Sequence, residues 1–145
     1  MILQVILCIM AVIGFSLIFN VPRRELIFCG FTGAGGWLVL TLVTTGLAGS
    51  AVVGTLLAAM TASVFGRILS SLRKMPSTLY IIPGVLPLVP GSLLYRTMVY
   101  IVNGEHSLAV VQGVEALSRA GVIALGLLVV LSLPRRFFAF KRREV

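Results

Sequence analysis

Tyr80-Ile81-Ile82-Pro83-Gly84-Val85-Leu86-Pro87-Leu88-Val89-Pro90-Gly91-Ser92 decides how this chain is read. The stretch lies inside a long apolar run, yet it holds three of the chain's six prolines. Each proline removes a backbone N–H and crowds the carbonyl four residues back. In hydrocarbon an unpartnered carbonyl costs several kcal/mol unless protein or a wet cavity satisfies it. The stretch therefore predicts a membrane helix broken or kinked at Pro83–Gly91, with the break turned toward protein. Broken helices at mid-membrane depth are the usual pointer to a transporter's substrate site.

Working outward, the composition agrees with a membrane setting. The chain has 145 residues, 59% of them hydrophobic and 11% charged, and its mean hydropathy is +1.11. A soluble domain of this size cannot hide so much apolar surface. The net charge of +8 sits between apolar runs, as topology-setting loops do, and not as a nucleic-acid surface. Cys8 and Cys29 lie in apolar runs without metal-ligand spacing and read as small buried residues. The apolar N-terminus lacks a basic start and a cleavage site, so it reads as a retained first span.

The expected fold is all-α, a polytopic bundle of five transmembrane helices. The spans are about 2–19, 26–47, 50–69, 78–102 and 110–133, within a membrane domain of residues 1–134. Residues 135–145 form a basic cytoplasmic tail. Ten of the twelve Lys and Arg residues lie at or after the ends of spans one, three and five. The positive-inside rule puts that side in the cytoplasm, the N-terminus outside and the C-terminus inside. The tail, with aromatics between its basic residues, reads as a topology anchor at the anionic inner leaflet.

Small residues mark helix contacts. Ser50, Gly54, Ala58, Ala62 and Gly66 recur every fourth residue of span three, giving a face without bulk. Ala116, Ala120 and Ala124 repeat the pattern in span five, and span two has Gly30, Gly33, Ala34, Gly35 and Gly36. Such faces let helices approach closely. Packing within one bundle and a partner-subunit interface, in a homo- or hetero-oligomer, both fit the pattern.

The ionisable groups near the spans are Arg96, Glu105, His106, Glu115 and Arg119, and charges at membrane depth are functional candidates by default. Arg96 either snorkels to the outer interface or offers a cation to an anionic substrate group. Glu115 and Arg119 stand four apart and pair on one turn, which fits a plain ion pair or a proton-coupling site. His106 reads as a solvated loop residue. Most hydroxyls should bond their own backbone four residues back. Ser92 and Tyr95 stand apart because they follow the break. A half-helix starting at Gly91 would turn amides and a positive dipole end toward a carboxylate. The residues expected along a substrate pathway are thus Pro83, Gly84, Pro87, Pro90, Gly91, Ser92, Tyr95 and Arg96. No cofactor or metal set is visible. The chain has no Asp, and its few scattered acids argue against an enzyme.

Two stretches also carry a resemblance. Gly14-Phe15-Ser16-Leu17-Ile18-Phe19-Asn20-Val21-Pro22 and the run Ile82 to Met98 resemble the small membrane half of the bacterial threonine/serine exporter family. The most specific piece is Pro87-x-x-Pro90-Gly91-x-x-x-Tyr95-x-x-Met98. The similarity covers nearly the whole chain. It implies export of a small-molecule substrate, threonine or serine or a dicarboxylate such as succinate. The proton motive force would drive export across the bilayer of a bacterial inner (plasma) membrane. It also implies a larger membrane subunit of the same family as partner, since split members use two proteins. Glu115 is then the local candidate for proton coupling. Arg96 departs from the motif, where some relatives are uncharged. The competing reading is a structural or assembly subunit that transports nothing, with the prolines as packing kinks.

Overall fold

The computed structural model describes residues 2–46 and 50–134, and every described element is helical. Helix α1 is Ile2–Ile18, α2 is Leu26–Thr41, α3 is Ala51–Arg73, α4 is Thr78–Val85, α5 is Gly91–Val102 and α6 is His106–Ser132. A π-helical turn, Leu42–Gly46, extends α2, and a 3₁₀ turn, Leu86–Leu88, extends α4. The expected tail at 135–145 and the loop at 47–49 lie outside the described residues.

Helix ends follow local chemistry. After α1, Asn20 takes a left-handed φ of 56°. Its N–H donates to the Leu17 carbonyl, and the Val21 N–H to that of Ser16. That is the Schellman arrangement, which satisfies carbonyls that would otherwise be orphaned, and Pro22 forbids any continuation. Gly104, at φ 77°, closes α5 in the same way, with the Glu105 N–H donating to the Tyr100 carbonyl. The connection to α6 is therefore three residues long. His106 belongs to α6 and not to an outer loop, and the fifth span starts earlier than expected at residue 110. The Ser50 hydroxyl caps α3 by accepting from the Val52 N–H, and α3 runs four residues beyond the expected Leu69.

Three helices are long and apolar enough to cross a membrane: Leu26–Gly46, Ala51–Arg73 and His106–Ser132. Thr78–Leu88 and Gly91–Val102, bent by 50°, make a fourth if taken as one broken span. The chain is thus a multi-pass helical membrane protein. Helix α1, with 17 residues, is a shorter apolar helix and stands apart from these three or four candidate spans.

The core forms where α2, α3 and α4 cross. Gly66 of α3 faces Ile81 of α4, and Gly36 of α2 faces the Ala58 carbonyl and the Ala62 methyl of α3. Gly54 faces Leu40 and Thr44. The small-residue face of α3 is thus turned inward, against α2 and α4, with Ser50 serving as the cap. Helix α6 packs on α3 through Gly126, which lies against Ala59 and the Leu56 carbonyl. Ala120, Gly121 and Ala124 of α6 remain exposed.

Arg67 ties the α3–α6 pair at the end where both helices finish. Its guanidinium is buried and donates to the carbonyls of Val130, Leu131 and Leu133. These carbonyls lie at the C-terminal end of α6, where Val130 also accepts from the Leu133 N–H, and a cation is favoured there. Arg67→Met is expected to destabilise the chain by about 2 kcal/mol, because charge-assisted bonds to buried carbonyls are lost. Equilibrium unfolding in mixed micelles measures it.

Candidate functional site

Pro83 does not break α4. The carbonyl it deprives of a partner is that of Leu79, and the Cys29 thiol of α2 donates to that oxygen at 3.4 Å. A neighbouring helix thus supplies the missing donor, as proline in a membrane helix requires. Gly84 also fits tightly, since an added Cβ would meet Thr32 and the Gly33 N–H group of α2. Farther on the helix tightens into the 3₁₀ turn. The Leu86 carbonyl, freed by Pro90, accepts from the Val89 N–H at 3.1 Å. The chain opens at Val89, which is extended, and α5 starts at Gly91. The break is therefore a joint of two residues, Val89 and Pro90, and not the whole interval from Pro83 to Gly91.

The eight residues expected along a pathway divide at this joint. Pro83, Gly84 and Pro90 are buried, and Pro87 is half-buried. Pro87 borders an apolar cleft of about 270 Å³ shared with Gln4, Leu7, Cys8, Ala11 and Trp37. Gly91, Ser92, Tyr95 and Arg96 are exposed on α5, which has no buried residue. The structure does not gather the eight into one pocket. The Gly91 amide is not free, because it donates to the Val89 carbonyl at 2.8 Å. No side chain caps the first turn of α5.

What distinguishes α5 is its polar face. Thr41, Thr44, Thr45, Thr55, Thr61, Ser63 and Thr97 each donate to the carbonyl four residues back. Ser92, Tyr95 and Arg96 make no side-chain hydrogen bond or ion pair among the described residues. They stand at i, i+3 and i+4, on one face, and Tyr95 is 71% exposed. A second polar group lies on α6, the partner of α5. Glu115 and Arg119 form an ion pair at 2.5 Å. Beside them Gln112 Oε1 and Arg119 Nε are buried without a partner among the described residues. Gly113 of the same stretch lies against Thr97 of α5.

A third constellation escaped the sequence reading. Glu25, in the turn before α2, is buried at 4% exposure. The Arg73 Nη2 donates to its Oε1 at 2.6 Å, and the Arg73 Nε reaches both oxygens at 3.1 Å. The Tyr80 hydroxyl donates to Oε2 at 2.7 Å. The Arg73 guanidinium also stacks over Phe28, 4.6 Å from the ring centre. Four segments are thus pinned on one carboxylate: the α1–α2 turn, α2, the end of α3 and the start of α4. The hydrogen bond from Arg73, with that of Tyr80, holds the Glu25 carboxyl below the usual carboxylate range, against the upward push of burial. The signal available in the sequence was a lone acid after Arg23-Arg24. It reads as loop charge unless Arg73 and Tyr80 are known to fold onto it.

Among the described residues no group of three or more His, Cys, Asp or Glu side chains is placed to hold a metal ion. Searches of curated proteins and of solved structures find no match. A model of the threonine/serine exporter family, ThrE, matches residues 4–133. That stretch takes in α1 from Gln4 onward, the other five helices and the proline joint, and the chain belongs to the threonine/serine exporter (ThrE) family.

Proposed function

We propose that this chain is the smaller subunit of a two-component exporter in a bacterial inner membrane. It moves threonine, serine or a dicarboxylate such as succinate out of the cytoplasm and is driven by the proton motive force. The five-span layout, with the N-terminus outside and a basic cytoplasmic tail, belongs to the same proposal. Family membership supports the transport reading. The observation that carries the two-component reading is the exposed face Ser92-Tyr95-Arg96. The hydrocarbon of the bilayer cannot partner a guanidinium and two hydroxyls, so such a face at membrane depth calls for protein or a water-filled path. A larger subunit facing α5 would close that path. Arg96 then offers a cation to a substrate carboxylate, and Glu115 carries the coupled proton.

Gly91→Leu tests this cleanly, because an added Cβ at Gly91 meets nothing within 4 Å. The variant should insert and co-purify with its partner, yet efflux of preloaded threonine or succinate should fall at least about tenfold, a barrier change of ~1.4 kcal/mol. Normal efflux from this variant counts against α5 as a pathway wall. Unchanged metabolite levels on deleting the whole chain would favour the structural subunit.

A further inference from the structure

A cleft of about 260 Å³ lies at the end of the bundle where α1 and α3 finish and α2 and α4 begin. It is lined by Phe19 and Val21 of the α1–α2 turn and by Thr78, Ile82 and Pro83 of α4. Its lining is apolar apart from the Thr78 hydroxyl, and Phe19 and Ile82 are about half exposed. Its volume is close to the ~300 Å³ at which ligand clefts begin. Arg23 and Arg24 follow Val21 in the chain, and Lys74 precedes the cleft residue Pro76 by two positions. All three are exposed.

The charge inventory at this end is unbalanced. Glu25 is the only acid there among the described residues, and it is buried and bonded to Arg73 and Tyr80. Glu115 is paired with Arg119, and Glu105 begins α6 at the opposite end. Arg23, Arg24 and Lys74 are left with no acidic partner among the described residues. An apolar slot beside three unbalanced cations is complementary to one amphiphile, an acyl chain under a phosphate. We propose that this cleft binds an anionic phospholipid, with the first methylenes of a chain against Phe19 and Ile82 and the phosphate on Arg23, Arg24 and Lys74. Basic pockets between membrane helices bind such headgroups. The site is separate from the polar face of α5 and does not depend on what the protein transports.

The test uses the full chain in a neutral detergent, with retained lipid counted by native mass spectrometry. Palmitoyl-oleoyl phosphatidylglycerol should be held at least about tenfold more strongly than phosphatidylcholine with the same chains. The triple variant Arg23→Gln, Arg24→Gln, Lys74→Gln should lose that preference. Ile82→Trp, which fills the slot, should lower retention of both lipids. Removing residues 135–145 should leave the preference intact. Equal retention of the two lipids by the wild type overturns the proposal. So does a preference that survives the triple variant or vanishes with the tail. Inorganic phosphate that displaces phosphatidylglycerol at equal concentration would also overturn it, because the acyl chain would then add nothing.

Discussion

Glu25→Leu is expected to destabilise the protein by about 3 kcal/mol, because removing one partner strands the other buried groups. The carboxylate side chain is 5% exposed and Arg73 is 38% exposed. The greater part of the loss therefore comes from the Tyr80 hydroxyl, fully buried, and from the desolvated side of the guanidinium. A double-mutant cycle with Arg73→Met, read by unfolding in mixed micelles, separates the pair from the rest; a coupling below about 0.5 kcal/mol would contradict the pinning role. The same carboxylate gives a pH signature. Its folded pKa is depressed, so its contribution is present above the unfolded value of ~4.3 and is lost as pH falls through the folded value. Wild-type stability should decline from about pH 5 downward, and Glu25→Gln should remove that part of the decline.

Gly66→Leu is expected to cost about 3 kcal/mol or to abolish folding. A Cβ at Gly66 would overlap the Ile81 side chain and touch the Ile81 backbone nitrogen. The strain cannot be relieved by turning one rotamer, since α3 and α4 must separate, and overpacking of that kind falls at the upper end of its usual range. Gly121→Leu, on the open face of α6, is the matched control and should be within about 0.5 kcal/mol of wild type. Equal effects of the two substitutions would show that the α3–α4 crossing does not depend on the missing side chain.

Much of the fold was legible because membranes impose simple rules. Apolar length, basic loops and the fourfold spacing of Gly54, Ala58, Ala62 and Gly66 pointed to helices and to the face of α3 that others touch. One misplacement and one omission came from partners the linear chain does not reveal. Pro83 looked like a break because its cost was counted within its own helix, whereas Cys29 meets that cost from α2. Glu25 drew no notice because Arg73 and Tyr80, which fold onto it, are about fifty residues away in sequence. Arg67 was read as a topology-setting charge, and its second role as the cap of α6 needs knowledge that the two helix ends meet. The polar face of α5 was singled out residue by residue. That Ser92 lacks the local bond made by Thr32, Thr41, Thr55, Thr61 and Thr97 is visible only in three dimensions.

The joint at Val89–Pro90 also sets how stiffness is shared. On one side of it, glycine crossings lock α2, α3 and α4 into close backbone contact, and α1 packs on α2 and α4. On the other side, α5 has no buried residue and packs on a single neighbour, α6. Between hydrocarbon-exposed helices there is no hydrophobic penalty for parting, only lost dispersion. Swinging α5 about those two residues therefore parts it from α6, while moving any helix of the body parts it from several neighbours. Helix α5 is thus the one least tied to the α2–α3–α4 crossing, and it carries the exposed guanidinium and hydroxyls.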